Sequence, residues 1–376
     1  MPRKRSPNGR RSLLPRQGWV WWLPFAVVVA DVTAELVLRG REPVSFLLIG
    51  VPPLAAATRG PRGTALSAVV CLGLQMLFAA LRPGHFHEQH HIALYVGTLL
   101  IGIASTALAW QRERVRQQLI RANSVAEAMQ RGLLRPVPRR LGQVRAAAFY
   151  AAGEGGTLVG GDLYDVCVTP FGVRAIIGDV RGKGLGAVQT VAAVLGSFRV
   201  CAHEWQDLGR LAERLELSIA RNAPVGVEYD PELFVTALVL EFPPSGGEVR
   251  VLGRGHPAPV VVGPEGVRRL VTAPALPLAL GGLSPGGAAE TTVHPLLPGE
   301  VVVVYTDGVS EARDAQGAFY PVLERLAQRF GGGGAGPDPA DVVSFVRADT
   351  ERWSKECDDD QAVLALTLKE RPREGY

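Results

Sequence analysis

Apolar and polar positions divide the chain into two unlike halves. In the first 110 residues four apolar segments, 19–38, 44–58, 64–81 and 92–110, contain no Lys or Arg. A helix needs about 20 apolar residues to cross a bilayer, and the first, third and fourth segments approach that length. The second is shorter and holds Pro52 and Pro53, which predicts a kinked or shallow helix. A cleaved signal peptide is the rival reading of the first segment. The segment is too long for a signal core, lacks a clear cleavage site and is followed by further spans. From 111 to 134 the period turns helical, with Val115, Leu119, Ala122, Ala126 and Met129 at steps of three and four. Pro136 and Pro138 end that pattern. The remainder alternates strand-like runs such as "VRAAAFYAA", "GVRAIIGDV", "FVTALVLEF", "EVRVLG", "APVVVG", "EVVVVYTDG" and "AVLALTL" with helical stretches at 187–204, 208–220, 322–329 and 339–353. Many strands with few helices between them predict stacked sheets flanked by helices.

Composition supports the membrane reading: 47% of residues are apolar and only 20% charged. The net charge of +4 is uneven, with Arg3, Lys4, Arg5, Arg10, Arg11 and Arg16 crowded at the start. Beside a membrane span such a cluster sets topology rather than gripping nucleic acid, so no nucleic-acid partner is expected. Arg59 and Arg62 fall between the second and third segments, and Arg112, Arg114 and Arg116 follow the fourth. The loop "RPGHFHEQHH" carries one arginine, so both termini are expected in the cytoplasm and this loop outside. Asp31 and Glu35 sit one turn apart within the first span, where carboxylates are functional suspects. The four cysteines, Cys71, Cys167, Cys201 and Cys357, show no CxxC spacing, which gives no support to a zinc site or redox pair. Cys201 lacks the arginine that a Cys-x5-Arg phosphatase nucleophile requires.

The chemistry lies in acidic points at strand ends. Asp162 follows a Gly-Gly pair, Asp179 ends "VRAIIGD", Asp307 ends "EVVVVYTD", and Asp358, Asp359 and Asp360 precede "QAVLALTL". Singly, each reads as a turn aspartate. Together they suit a hard divalent cation, with no His or Cys among them. Two such ions about 3.5–4 Å apart can activate water for attack on phosphorus. "RGKGLGA" lacks phosphate-loop spacing, and "GGDLYD" lacks the Glu-Phe pair of nucleotide cyclases.

These blocks resemble the metal-dependent PPM serine/threonine protein phosphatases of the bacterial SpoIIE type. "VGGDLYDV" is similar to the first signature and "IGDVRGKGLGA" to the second. "FVTALVLE", "GRGHPAPVVV" and "PLALGG" resemble the middle blocks. "VVVYTDGVSEARD" and "DDDQAVLAL" resemble the last two, and "QRGLLRPVPRRLG" the lead-in, in order over 129–368. The resemblance implies an α+β fold, a layered α-β-β-α sandwich behind an all-α transmembrane region. The expected domains are a basic N-terminus (1–18), a membrane domain (19–110), a linker helix (111–141) and a phosphatase domain (142–370). It implies two Mn²⁺ or Mg²⁺ ions, with Asp179 bridging them, Val180 lending its carbonyl, and Asp162, Asp307 and Asp359 as ligands. Asp360 is the weaker candidate. Asp179, Asp162 and Asp307 would act on phosphoserine or phosphothreonine through metal-activated water.

The implied partner is a phosphorylated cytoplasmic protein, often an anti-anti-sigma factor in this family, with a homodimer expected through the linker helix. The helix leading into the domain is expected to act as a switch. The alternative is a catalytically weak receptor or scaffold. Two departures stand out. Arg181 replaces the histidine that eukaryotic relatives carry two places after the bridging aspartate, and "PLALG" replaces "PLGLG". His256 is expected to be structural.

Overall fold

A computed structural model describes residues 19–37, 46–81, 89–153, 160–222, 233–281, 289–332, 336–354 and 359–369. The basic N-terminus, residues 82–88 of the histidine-bearing loop, and Asp358 lie outside them. The chain forms two compact units, 1–121 and 122–376.

The first unit contains α1 (Leu23–Val37), α2 (Val51–Thr58), α3 (Pro61–Ala80) and most of α4 (Gln89–Leu133). Its polarity is inverted relative to a water-soluble bundle. The buried positions of α1 are Pro24, Asp31 and Glu35, and those of α3 are Thr64, Cys71, Gln75 and Ala79. Val29, Leu36, Leu66, Val69, Leu99, Leu100 and Ile103 point outward instead. That arrangement suits a lipid solvent, and three stretches, Val20–Val37, Pro61–Ala80 and Ile92–Leu133, are long and apolar enough to cross a membrane. The second predicted segment is α2 with a preceding 3-10 turn, Leu47–Thr58, shorter than a span.

Among the described residues the second unit has eleven strands: β1 (Arg140–Leu141), β2 (Val144–Ala151), β3 (Asp162–Thr169), β4 (Gly172–Val180), β5 (Val235–Phe242), β6 (Glu248–Arg254), β7 (Val260–Gly263), β8 (Gly266–Arg269), β9 (Thr292–Pro295), β10 (Val301–Tyr305) and β11 (Gln361–Leu368). They pair antiparallel in two sheets, ordered β1-β2-β11-β10-β7-β8 and β3-β4-β5-β6-β9. The helices are α5 (Leu185–Glu204), α6 (Leu208–Asn222), α7 (Asp307–Ser310), α8 (Val322–Phe330) and α9 (Pro339–Trp353).

The two-residue period of a strand sets the layers. Val302 and Val304 of β10, with Ala362, Leu364 and Leu366 of β11, join the core shared with the other sheet, α5 and α6. Their neighbours Val301, Val303, Tyr305, Val363 and Ala365 face α8 and α9. The result is the α-β-β-α sandwich. Apolar α5 also has the length of a span, but it buries Val188, Val191, Val194, Leu195 and Phe198 within this unit. A buried arginine fixes the turn beyond it. Arg174 of β4 is fully buried, bonds Glu241 of β5 through Nε at 2.8 Å, and caps the Ala202 carbonyl at 2.9 Å. The Trp205 and Gln206 carbonyls accept from the same guanidinium, so the cost of burying its charge is offset by paired donors.

A candidate dinuclear metal centre

Asp162 opens β3 and stands directly opposite Asp179 near the end of β4. Directly paired residues of antiparallel strands project from the same face, so the two carboxylates share one side of the sheet. Asp307 starts α7 just beyond β10, and Asp359 and Asp360 lead into β11 of the other sheet. Thr306 joins these parts. Its Oγ1 donates to Asp162 Oδ2 at 2.7 Å and accepts from the Ala362 amide at 2.9 Å. Glycines make the approach feasible. A Cβ on Gly161 would lie 2.1 Å from the Val180 carbonyl oxygen, and one on Gly308 would lie 1.9 Å from that of Asp360.

The predicted residues occupy distinct environments. Asp162 is buried, and its carbonyl accepts from Gln130 Nε2 of α4 at 3.1 Å. Val180 is buried with its amide bonded to the Gly161 carbonyl at 3.1 Å. Asp359 is exposed, and its Oδ1 accepts from Lys183 Nζ at 3.0 Å. Asp360 is already served by protein donors, the Tyr150 hydroxyl at 2.6 Å and the Gly153 amide at 3.1 Å. Asp165 belongs elsewhere, paired with Arg199 of α5, whose Nη2 also donates to the Leu133 carbonyl at 3.1 Å.

Electrostatics marks the cluster as wanting positive charge. Burial, then Asp179, pushes Asp162 well above the usual carboxylate range against the Thr306 hydrogen bond, with Asp360 and Asp307 adding to the rise. Burial, Asp307, Asp359 and Asp360 raise Asp179 to about 7, with Lys183 opposing. Burial and Asp359 also raise Asp307. Among the described residues no three Asp, Glu, His or Cys side chains already converge on a single point. The fit to metal therefore rests on the donor set: mutually repelling carboxylates with hard oxygen atoms, the chemistry of Mg²⁺ or Mn²⁺.

His256 is buried and neutral. Burial lowers its pKa to about 3 against the Tyr305 main chain, and its Nδ1 lies 3.1 Å from Thr236 Oγ1. Thr236 is paired with Asp179 in the sheet and accepts from its amide at 3.3 Å, so the ring supports the floor of the site. Arg181 stacks over Phe234 at 5.2 Å. Gln130, Tyr150, Thr236 and Thr306 escape sequence reasoning because their partners are distant in the chain. The one local signal, the T-D-G block, marks Asp307 and not its neighbour's hydroxyl.

Two antiparallel sheets between helix pairs, with aspartates at strand ends of both sheets, make up the layered fold of the PPM-type serine/threonine protein phosphatases. The model of the Stage II sporulation protein E (SpoIIE) family matches residues 169–369, more than half of the chain. The chain belongs to the SpoIIE family. Asp162 lies just before the matched range.

Among solved structures, the SiaA-PP2C domain of Pseudomonas aeruginosa shares the fold at TM-score 0.51 and 15% identity, over 69% of this chain and 98% of that one. The phosphatase domain and regulatory-domain fragment of SpoIIE from Bacillus subtilis match at TM-score 0.48 and 18% identity, over 61% and 64%. The RsbU and RsbW domains of a Mycobacterium tuberculosis protein match at 0.47 and 22%, over 61% of each chain. The chain thus spans about three fifths of the length of these last two structures.

Proposed function

We propose that this protein is a membrane-anchored, metal-dependent phosphatase that removes phosphate from phosphoserine or phosphothreonine on a cytoplasmic regulatory protein. The observation that carries the reading is the facing pair Asp162 and Asp179, joined by Asp307 and Asp359 from the other sheet. Asp179 would be shared between two Mn²⁺ or Mg²⁺ ions, with Asp162, Asp307, Asp359 and the Val180 carbonyl as further ligands. When bound, the ions supply Lewis acidity and acidify water. The protein's own residues hold the ligands in place: Thr306 orients Asp162, Thr236 braces Asp179, and Lys183 offers a cation beside Asp359. Family resemblance supports a phosphorylated anti-anti-sigma factor as the substrate class. The inverted polarity of the first unit supports a multi-pass membrane location, and the arginine distribution supports a cytoplasmic second unit.

The end of α4 supports control of the site. Gln130 reaches Asp162, and Ala126 packs on Val188 of α5. A homodimer through the exposed Val115 and Leu119 face is part of this reading, but Ala126 is consumed by packing within its own unit.

The test uses the purified full chain in lipid nanodiscs with a phosphoserine protein. Phosphate release should require Mn²⁺ or Mg²⁺. Asp179→Asn should lower it by more than the roughly 10–100-fold that loss of an outer-shell partner costs. A variant that keeps wild-type turnover would refute the ligand assignment. An inert wild type that still binds the phosphoprotein would favour the scaffold.

A further inference from the structure

We propose that Asp31 is the anionic centre of a buried site for a small cation, a proton or an oxygen-preferring metal ion, inside the first unit. This is independent of the phosphatase reading. Asp31 is fully buried, and among the described residues no side chain hydrogen-bonds its carboxylate, whose one polar neighbour in the main chain is the Leu47 amide at the limit of bonding. The groups around it come from several helices. Cys71 of α3 lies within electrostatic reach of Asp31, and the Leu47 main chain is close by. Gln75 follows Cys71 by one turn on the same buried stripe.

α4 reaches this depth as well. A Cβ on Gly102 would lie 2.6 Å from the Ala68 Cβ, which fixes where α3 and α4 cross. Consecutive helices with a short connection run antiparallel. Thr98 lies one turn before Gly102 on α4. Its hydroxyl is likewise buried with no hydrogen-bond partner among the described residues.

Among the described residues, two arginines of this unit have their contacts away from Asp31. The Arg59 guanidinium lies 4.5 Å over the Phe25 ring, about 9 Å back along α1 at 1.5 Å per residue. Arg112 donates to the Ala56 and Ala57 carbonyls. The segment 47–58, packed against α1, carries no titratable side chain. Among the described residues, the titratable groups that interact with Asp31 are Glu35 on its own helix and Cys71, and neither brings positive charge. An ionised carboxylate in an apolar interior is costly until a proton or cation joins it. A buried carboxylate, with amide and hydroxyl oxygens also buried in the same unit, offers the hard oxygen donors such an ion takes.

The experiment records infrared difference spectra of the full chain in lipid nanodiscs, for wild type and Asp31→Asn. One arm titrates pH with choline as the only salt cation. The other titrates Na⁺, then Ca²⁺, at fixed alkaline pH. The expected result is an Asp31 signal present in wild type and missing from Asp31→Asn. A protonated-carboxyl band in the first arm names the proton, and a shifted carboxylate band in the second names the metal ion. Asp31→Glu should retain the response, which separates loss of the site from loss of the fold. Wild-type and Asp31→Asn spectra that superimpose in both arms overturn the proposal, because the carboxylates of the second unit respond equally in the two proteins and cancel.

Discussion

A methyl group at Gly308 would meet the Asp360 carbonyl oxygen at 1.9 Å, and neither partner is the free end of a flexible side chain. Gly308→Ala must therefore push the Asp359–Asp360 segment away from Asp307. We expect Mn²⁺ affinity, read by calorimetry, to fall about 10–100-fold, the range seen when ligand positioning is lost. Gly132→Ala, where a Cβ would meet nothing within 4 Å, should bind as wild type. Unchanged binding by Gly308→Ala would remove the argument that these two segments must touch. The aspartates are legible in the sequence because glycine accompanies three of the acidic points at strand ends. The groups that aim them are not. Thr306 and Asp162 are 144 residues apart, and Tyr150 and Asp360 are 210 apart, so only the tertiary fold makes them neighbours.

At the scale of elements, α4 is where a single helix end meets the site. Gln130 is buried, with its amide on the Asp162 carbonyl and 3.5 Å from Asp360 Oδ2. Gln130→Ala removes the side-chain donor to the Asp162 carbonyl, while Asp360 Oδ2 keeps the Tyr150 hydroxyl, and should change Mn²⁺ affinity and turnover together, with little change in melting temperature. A variant that alters melting alone would make Gln130 merely structural. A second prediction concerns the clasp between α8 and α9. Arg325 Nε and Nη2 each donate to Asp349 at 2.7 Å, and the Tyr320 hydroxyl donates at 2.8 Å. The Arg325 hydrogen bonds hold Asp349 below the usual carboxylate range, against burial and with help from Tyr320. The unfolded chain then binds the proton more readily. The clasp's stability is present above the ordinary pKa of 3.8 and is lost as pH falls through the lower folded value. Asp349→Asn should cost about 2 kcal/mol at neutral pH by the range for charged hydrogen bonds. That gap should close in acid, as followed by denaturant titration at several pH values; a pH-independent gap would contradict it. Helices α5, α6, α8 and α9 fall where their apolar period predicts. Strand β3 does not announce itself, because "DLYDVCVT" carries two acids whose burial makes sense only beside Thr306 and Arg199. The short β8 and β9 have too few residues for any period to show.

At the scale of the whole molecule, the two units demand different solvents. The second unit buries its valines and leucines around two sheets. The first exposes Trp21, Trp22, Val29, Val69 and Leu100 while enclosing Asp31, Gln75 and Thr98. Exposing that much apolar surface to water would drive aggregation, whereas lipid removes the penalty. The proposed direction of insertion rests on charge. Arg59, Arg62, Arg112, Arg114 and Arg116 gather at the ends of spans that the positive-inside rule assigns to the cytoplasm. A reporter active only in the cytoplasm, fused after Tyr376, should therefore be active, and one inserted in the loop "HFHEQHH" should be silent. A reporter active only outside should give the opposite pair. If the C-terminal fusion reports from outside, the topology is wrong, and the aspartate cluster would also be separated from every cytoplasmic phosphoprotein. Moving charge should move topology too. Replacing Arg112, Arg114 and Arg116 with Gln while adding three lysines to the histidine-bearing loop should raise the fraction of chains with that loop inside. No change in either reporter would mean that something other than arginine placement orients this membrane unit.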